Sequence, residues 1–379
     1  MKPGITRFAR LLLIAITVIT GSGRAQGRND WLEPFPAFTI TGNLHYAVII
    51  GSPNVNSGYK LVDHASYPEI ATDFERMFRT EVARQRSGDA PATKAKRKAT
   101  PSVVFIGNSF MFGSGSAVRV YRADTVTDLN GGVVGGGPAL FKCFAQQAGR
   151  DFDVSLETSN GKNFDYHVEN KADLLGRAWD YAVALGYSTL DKDKPGDPAL
   201  LVRSARQLAE LLRSKNPKVD VRLIATWSRA DQTYPARGHW HGKPIEQMAL
   251  DVRAAYDLAA RNSPAIRGVI PVGEAWNRAM KAGVADPNPY DGIEFGKVSL
   301  WTHDHYHGST HGYYLEALMI FGDLTGLDPR SLGKGERAAF ELGLSADQAT
   351  APQQVAYDEL MAMEGRTGLN PFTPAKTAR

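Results

Sequence analysis

Apolar positions follow two different periods along the middle of this chain. Short runs of consecutive apolar residues, such as 103–106 and 181–185, have the length and composition of buried parallel strands. Between them, segments such as 198–214 repeat leucine at helical spacing, so that one face is apolar. Strands and helices that take turns in this way are typical of a parallel sheet covered by helices on both faces.

This alternation predicts nine elements within residues 101–326. The predicted strands are 103–106, 152–157, 181–185, 219–227 and 268–272, and the predicted helices are 138–148, 198–214, 245–261 and 309–324. Gly149 suits the carboxyl-terminal cap of the first of these helices. Five strands with intervening helices make a complete doubly wound domain, so we expect a three-layer α/β/α fold with a five-stranded parallel sheet.

A glycine-rich insertion, residues 113–137, separates the first predicted strand from the helix that follows it. Loops at the carboxyl ends of parallel strands line the ligand crevice of such folds. Two interpretations of the insertion stay open, a flap over a binding site or an exposed hairpin without a role in binding.

Residues 1–25 have the pattern of a secretory signal. Three basic residues precede an apolar run at 11–20, and a stretch of small residues ends at Ala25, where cleavage is expected. An apolar run of that length is about half of what a membrane-spanning helix needs, so the pattern favours export to the periplasm or the medium. No later stretch is long and apolar enough to span a bilayer, and we expect no integral membrane segment after cleavage.

Two further segments flank the predicted domain. Residues 26–100 form an N-terminal extension, with a predicted strand at 46–50 and an amphipathic helix at 70–86. The extension ends in a basic run at 94–98, which is typical of a solvated linker. Residues 327–379 are polar and contain proline, which predicts a peripheral C-terminal tail.

Composition and charge narrow the classes of function. The chain has 379 residues, of which 43% are hydrophobic and 22% charged, so collagen-like, coiled-coil and wholly disordered proteins are excluded. The net charge of +4 resides in the leader, and the remainder carries 40 basic and 40 acidic residues. A nucleic-acid partner therefore has no electrostatic basis. The single cysteine, Cys143, lies in an apolar helical segment, which predicts a buried and inert thiol.

A first candidate for chemistry is Ser109, in the tripeptide Gly107-Asn108-Ser109 that directly follows the strand 103–106. A serine on a turn at the carboxyl end of a strand presents its hydroxyl at the rim of the sheet, where a nucleophile meets a substrate. The tripeptide differs from the Gly-x-Ser-x-Gly elbow of α/β-hydrolases because Met111 occupies the last position.

A second candidate is the stretch 302–311, which holds four of the nine histidines. Within it, Asp304 and His307 stand three residues apart on one predicted loop. A serine hydroxyl needs an adjacent base, and that base needs a carboxylate to orient it. Histidine suits this proton transfer because its ordinary pKa is near 6.5. The loop therefore offers the base and the orienting carboxylate that Ser109 needs.

The two blocks together resemble the SGNH (GDSL-like) hydrolase superfamily, in the variant that opens with Gly-Asn-Ser. The resemblance covers roughly residues 101–326 and implies a serine esterase or acyl hydrolase that acts on a small or carbohydrate-linked ester and needs no cofactor. It implies a triad in which Ser109 is the nucleophile, His307 the base and Asp304 the orienting carboxylate.

The resemblance also implies an oxyanion hole, made of the backbone N–H of Ser109, a glycine after the second strand and an asparagine after the third. Gly161 fits the position of the glycine. The third strand is followed by no asparagine or glutamine, so the remaining donor is expected to be Asn163 or the backbone of Gly186.

Two alternatives belong to other classes of protein. A zinc hydrolase could use the clustered histidines, which are His303, His305, His307 and His311, with His239 and His241 as a second pair. A non-catalytic carbohydrate-binding protein on the same fold could use the aromatic residues expected near the rim, which are Trp227, Tyr234, Trp240, Trp301 and Tyr306.

Overall fold

The computed structural model describes residues 100–367 and three short strands before them, β1 (Thr17–Val18), β2 (Tyr46–Val48) and β3 (Lys60–Val62). These three strands form an antiparallel sheet in the order β1-β2-β3, and β2 lies within the predicted strand 46–50. The chain divides into two compact units, Met1–Lys98 and Ala99–Arg379. Apart from these strands, the predicted signal, the amphipathic helix at 70–86 and the basic linker lie outside the described residues.

The second unit is built on one parallel sheet. Its strands are β4 (Ser102–Gly107), β5 (Thr127–Asp128), β6 (Asp153–Thr158), β7 (Tyr181–Ala184), β8 (Asp220–Ile224) and β9 (Ile266–Ile270). The strand order is β5-β6-β4-β7-β8-β9, and every neighbouring pair is parallel. The five longer strands thus follow the doubly wound order 2-1-3-4-5.

The sheet has six strands where the sequence predicts five. The additional strand, β5, comes from the glycine-rich insertion and lies at one edge, where Thr127 pairs with Ser155 of β6. A strand of two residues is too short to show an alternating pattern, which is why periodicity does not reveal it.

Helices cover both faces of this sheet. They are α1 (Gly136–Gln147), α2 (Phe164–Asn170), α3 (Ala172–Leu175), α4 (Ala199–Lys215), α5 (Ala230–Thr233), α6 (Glu246–Arg261), α7 (Val272–Lys281), α8 (Thr310–Thr325), α9 (Arg337–Glu341) and α10 (Ala346–Thr367). The four predicted helices correspond to α1, α4, α6 and α8, with bounds that differ by one or two residues. The predicted three-layer α/β/α architecture is confirmed.

Alternate residues of β4 fill two separate apolar clusters. Val103 and Phe105 pack on the side of α1 and α8, whereas Val104 and Ile106 pack on the side of α4 and α6. All four side chains are fully buried. A central strand covered on both faces therefore needs an uninterrupted apolar run, and this run places the following turn, with Ser109, at the carboxyl edge of the sheet.

The segment predicted as a peripheral tail is a packed part of the domain. Helix α10 places Val355, Ala356 and Leu360 in the same apolar cluster as α8. The prediction of a tail over 327–379 is therefore wrong for the part that the structure describes. Pro352 lies inside α10, and an internal proline is ordinarily a signal against a helix.

Two smaller expectations concern Cys143 and the membrane. The Cys143 thiol is buried, and burial raises its pKa to about 11, so it stays protonated at neutral pH. Within the part of the chain that the structure describes, no helix is long and apolar enough to cross a membrane.

Candidate active site

Ser109 lies on the turn that follows β4, at the carboxyl edge of the sheet. The neighbouring Asn108 holds this turn to two other loops, because its Nδ2 donates to the carbonyl oxygen of Lys162 at 2.9 Å and to that of Gly186 at 3.0 Å. Its Oδ1 accepts from the backbone N–H of Phe110 at 3.1 Å. The serine turn is thereby tied to the loops that follow β6 and β7.

The loop before α8 carries the carboxylate and the histidine. Nδ1 of His307 lies 2.6 Å from Oδ2 of Asp304, and Oδ1 of Asp304 accepts from the backbone N–H groups of Tyr306 and His307, both at 2.9 Å. Burial acts to raise the pKa of Asp304, but these hydrogen bonds outweigh it and lower the pKa. The carboxylate is therefore charged at neutral pH and fixes the orientation of the imidazole.

The two ends of this loop are joined by backbone hydrogen bonds. Trp301 and Gly308 form an isolated antiparallel bridge, and the backbone N–H of Thr302 donates to the carbonyl oxygen of His307 at 2.9 Å. Ser309 then caps α8 by accepting from the backbone N–H of Gly312. The loop is a short closed structure anchored to a long helix, which suits it to hold side chains in fixed positions.

The turn that follows β4 and carries Ser109 (the serine turn) is in contact with the loop 302–308 that carries His307 (the histidine loop). The ring centroids of Phe110 and His307 are 5.6 Å apart, and the hydroxyl of Tyr313 in α8 donates to the carbonyl oxygen of Ser109 at 3.2 Å. Burial raises the pKa of the Tyr306 phenol, and the side chains of Ser188 and Ser109 are among the groups that act against this rise. The fold thus brings Ser109, His307 and Asp304 to one place.

The serine and the histidine do not share a hydrogen bond in this structure. Nε2 of His307 is buried and has no hydrogen-bond partner among the described residues. Ser109 is only 1% exposed, in contrast to the expectation that its hydroxyl is displayed at the rim. In a structure without substrate, catalytic hydrogen bonds are often long and shorten only in the complex.

The expected oxyanion hole includes two backbone N–H groups. The backbone N–H groups of Ser109 and Gly161 donate to no other protein group within residues 100–367. Gly161 has a φ of 64° and is exposed, so it can approach a ligand closely.

The structure gives Asn163 and Gly186 other roles. Oδ1 of Asn163 caps α2 by accepting from Phe164 N–H at 3.0 Å, and its Nδ2 donates to the carbonyl oxygen of Leu190 at 3.2 Å. The backbone N–H of Gly186 donates to the hydroxyl of Tyr256 at 2.7 Å. The Gly186 N–H is therefore occupied, whereas Asn163 Nδ2 has a second N–H for which residues 100–367 offer no acceptor, so Asn163 stays a predicted donor.

The other histidines of the cluster make different contacts from His307. His305 has a left-handed backbone, with a φ of 57°, and its ring contacts Tyr290 at a centroid distance of 4.2 Å. Burial lowers the pKa of His311, which stays neutral at neutral pH. Nδ1 of His241 lies 3.0 Å from the carbonyl oxygen of Tyr234. Among the described residues, no three histidine, cysteine or carboxylate side chains come together to hold a metal ion.

Most of the aromatic residues considered for sugar binding belong to the core. Trp227, Trp240 and Trp301 are each at most 3% exposed. Only Tyr234 and Tyr306 are partly exposed, and they are the two that a ligand can reach.

Sequence reasoning missed Arg229 and Ser188. Nη1 of Arg229 donates to the hydroxyl of Ser188 at 3.2 Å, and its Nε and Nη2 bind both carboxylate oxygens of Asp231. The guanidinium carbon lies 3.6 Å from the ring centroid of Tyr306. No sequence motif identifies these two residues. The one feature that could have indicated them is their position at the carboxyl edge of the sheet, where Arg229 follows β8 and Ser188 follows β7.

No protein-family model and no curated protein sequence matches this chain. A DUF4886 family protein from Bacteroides uniformis matches 73% of this chain and 98% of its own, with 16% identity and a TM-score of 0.50. A protein from Parabacteroides merdae, proposed to be a GDSL-like lipase, matches 60% of this chain and 96% of its own, with 16% identity and a TM-score of 0.41. A family 3 carbohydrate esterase from Clostridium thermocellum matches 58% of this chain and 93% of its own, with 15% identity and a TM-score of 0.38.

These likenesses concern the arrangement of strands and helices, since the sequence identities are low. The chain therefore has a three-layer α/β/α fold like that of the DUF4886 family protein.

Proposed function

We propose that this protein is a serine ester hydrolase in which Ser109 is the nucleophile. The observation that carries the proposal is the 2.6 Å contact between Asp304 and His307 on a loop that packs against the turn of Ser109. A carboxylate that holds one imidazole nitrogen leaves the other nitrogen to act as a base.

The reaction then proceeds in two halves. The hydroxyl of Ser109 attacks the ester carbonyl carbon while its proton passes to Nε2 of His307, and the carbonyl π electrons move onto the oxygen. The backbone N–H groups of Ser109 and Gly161 bind this oxyanion. Collapse releases the alcohol, which takes the proton from His307. A water molecule, activated by the same imidazole, then hydrolyses the acyl-serine.

The proposed substrate is a small or carbohydrate-linked ester. Tyr234 supports this choice, because it is partly exposed and lies just after α5, whose Asp231 N–H donates to the carbonyl oxygen of His305 in the histidine loop. An aromatic ring in such a position suits stacking against a sugar.

The proposal is tested by hydrolysis of p-nitrophenyl esters and acetylated glycans. We expect Ser109→Ala and His307→Ala each to abolish turnover, whereas His303→Ala and His305→Ala are matched controls that keep most of it. A serine-directed organophosphate should inactivate the protein by labelling Ser109. Loss of activity to a chelator, with His303 or His305 essential, would instead indicate a metal hydrolase. Glycan binding without turnover would indicate a binding protein.

We also propose that the protein acts outside the cytoplasm. The support is the leader over residues 1–25, in which basic residues precede an apolar run and a small-residue end at Ala25. Mass spectrometry of the protein from its native host should find a mature N-terminus at or near Gln26. Intact Met1 in the cytosolic fraction would contradict export.

A further inference from the structure

A carboxylate and a histidine form a second, buried pair close to the loop that carries Gly161. Oε2 of Glu157, near the end of β6, is hydrogen-bonded to Nδ1 of His167 in α2. Neither of the two side chains is exposed to solvent. The proposed reaction uses neither group, so the pair has a different role from that of Asp304 and His307.

Stability alone does not account for this pair. Burial removes both groups from water, and a buried pair of this kind is often no more stabilising than two apolar side chains of similar volume. Nε2 of His167 is also buried and has no hydrogen-bond partner among the described residues, which adds to the cost. What the pair provides is a directed contact, because its hydrogen bond fixes how β6 and α2 lie relative to each other.

The pair joins the two ends of the loop 159–163. Glu157 lies two residues before this loop, and His167 lies four residues after it. In the sheet, Glu157 pairs with Ile106 of β4, the strand that the serine turn follows. The end of β6 that the pair holds is therefore next to the strand that positions Ser109.

The loop 159–163 is a tight turn with Gly161 near its tip. The backbone N–H of Lys162 donates to the carbonyl oxygen of Ser159 at 3.2 Å, and Gly161 has a left-handed backbone. Asn108 holds one side of the turn through the carbonyl oxygen of Lys162. A Cβ added at Gly161 would meet no atom within 4 Å, so no group packs against that side of the tip. The position of the Gly161 N–H thus depends on how the ends of the loop are held.

We propose that Glu157 and His167 are positioning residues that hold the backbone N–H of Gly161 in place for the oxyanion. The inference rests on the proposed esterase function, in which this N–H binds the carbonyl oxygen of the ester. Without the pair, the ends of the loop are held only by their backbone contacts, and the N–H shifts away from the oxyanion. A misplacement of about 1 Å costs about 100-fold in rate.

The test replaces both members of the pair by apolar residues. In the double variant Glu157→Leu/His167→Leu, neither substitution leaves the other group unpaired, so we expect a melting temperature that is unchanged or raised. The kcat for a p-nitrophenyl ester should fall by about 10- to 100-fold, with KM changed only a few-fold. A role in stability alone would make the melting temperature and kcat fall together.

Two further variants are controls. In Glu157→Gln, the amide oxygen still accepts from Nδ1 of His167, so kcat should stay within a few-fold of the unaltered value. Arg253→Leu/Glu274→Leu removes a mostly buried ion pair between α6 and α7, in which Nη1 lies 2.6 Å from Oε2. Neither helix carries a residue of the proposed site, so this second double variant should keep the unaltered kcat.

A tetrahedral inhibitor measures the same contact independently. Glu157→Leu/His167→Leu should weaken binding of a serine-reactive boronic acid by the same factor as it lowers kcat/KM, because a boronate oxygen takes the place of the oxyanion.

Three outcomes would overturn the inference while leaving the proposed function intact. They are an unaltered kcat in the double variant Glu157→Leu/His167→Leu, a loss of its kcat only at temperatures where it unfolds, and an equal loss of kcat in Glu157→Gln. If the unaltered protein neither hydrolyses esters nor reacts with an organophosphate, the proposed function itself fails.

Discussion

At the scale of single residues, Asn108 is the side chain that joins three loops at the carboxyl edge of the sheet. It is 3% exposed, and both its donors and its acceptor are used by backbone groups. Asn108→Asp would place a carboxylate oxygen against the two carbonyl oxygens of Lys162 and Gly186. We expect it to lower the free energy of unfolding by about 1–3 kcal/mol and to reduce kcat, because the loops carrying Gly161 and Ser188 lose their common anchor.

The matched control for Asn108→Asp is Asn262→Asp. Nδ2 of Asn262 also donates to a backbone carbonyl, that of Leu258 at 2.8 Å, but the residue is exposed and lies at the end of α6. This control should leave kcat nearly unchanged and lower the free energy of unfolding by less than about 1 kcal/mol, because it adds a negative charge only at an exposed helix end. Urea denaturation and steady-state kinetics measure the two effects. An Asn108→Asp variant as stable and active as the unaltered protein would show that the anchor is unimportant.

Single residues also show how far the sequence determines the site. The pairing of Asp304 with His307 could be predicted, because two residues that stand three positions apart on one loop have little freedom in how they meet. The role of Asn163 could not, because a side-chain amide beside a helix start serves equally as a cap or as a donor to a ligand. The contacts of Arg229 with Ser188 and Tyr306 join residues far apart in sequence, and local patterns contain no information about them.

At the scale of elements, the insertion over 113–137 has an anchored part and an exposed part. Val118 and Tyr121 are buried in the core cluster, and the Tyr121 hydroxyl donates at 2.6 Å to Glu341, the last residue of α9. In contrast, Gly131 and Gly132 are exposed, and Val133 is 78% exposed. The two interpretations of the insertion therefore apply to different parts of it.

This division gives a prediction for the proposed flap. Deleting Gly131 and Gly132 should change KM or the preference among ester substrates and leave the melting temperature nearly unchanged, because exposed glycines contribute little packing. Val118→Ala, the matched change in the anchored part, should instead lower the melting temperature and leave substrate preference unchanged. Differential scanning fluorimetry and a panel of esters distinguish the two. If the deletion lowers only the melting temperature, the exposed part is structural.

Elements with a long periodic pattern could be predicted, and short or interrupted ones could not. Helix α4 repeats its buried leucines over four turns, so its predicted bounds differ from the observed ones by one residue. The two-residue strand β5 has no such pattern, and it exists because β6 offers it an open edge. Helix α10 could not be predicted because it contains Pro352. Its formation depends on packing against the apolar surface of α8 rather than on local helix preference.

At the scale of the whole molecule, the position of the histidine loop depends on how α8 packs against α10, away from the loop itself. The loop ends at Ser309, the cap of α8, and α8 is buried along most of its length. Gly322 of this helix faces Leu360 of α10, and a Cβ at Gly322 would lie only 2.3 Å from the Leu360 side chain. Helix α10 therefore packs in close contact with α8, the helix that carries the histidine loop.

This arrangement predicts that Leu360 is needed for stability although it lies outside the predicted domain of 101–326. Leu360 is 1% exposed, and Leu360→Ala should lower the free energy of unfolding by about 2–5 kcal/mol, as for other buried leucines. Gln354→Ala, on the exposed face of the same helix, should change it by less than about 0.5 kcal/mol. Urea denaturation followed by circular dichroism measures both variants. A peripheral tail would make the two substitutions equally harmless, so equal stabilities would show that α10 does not support the domain. Because α8 holds the histidine loop, the Leu360→Ala variant should also lose esterase activity at a lower temperature than the Gln354→Ala variant.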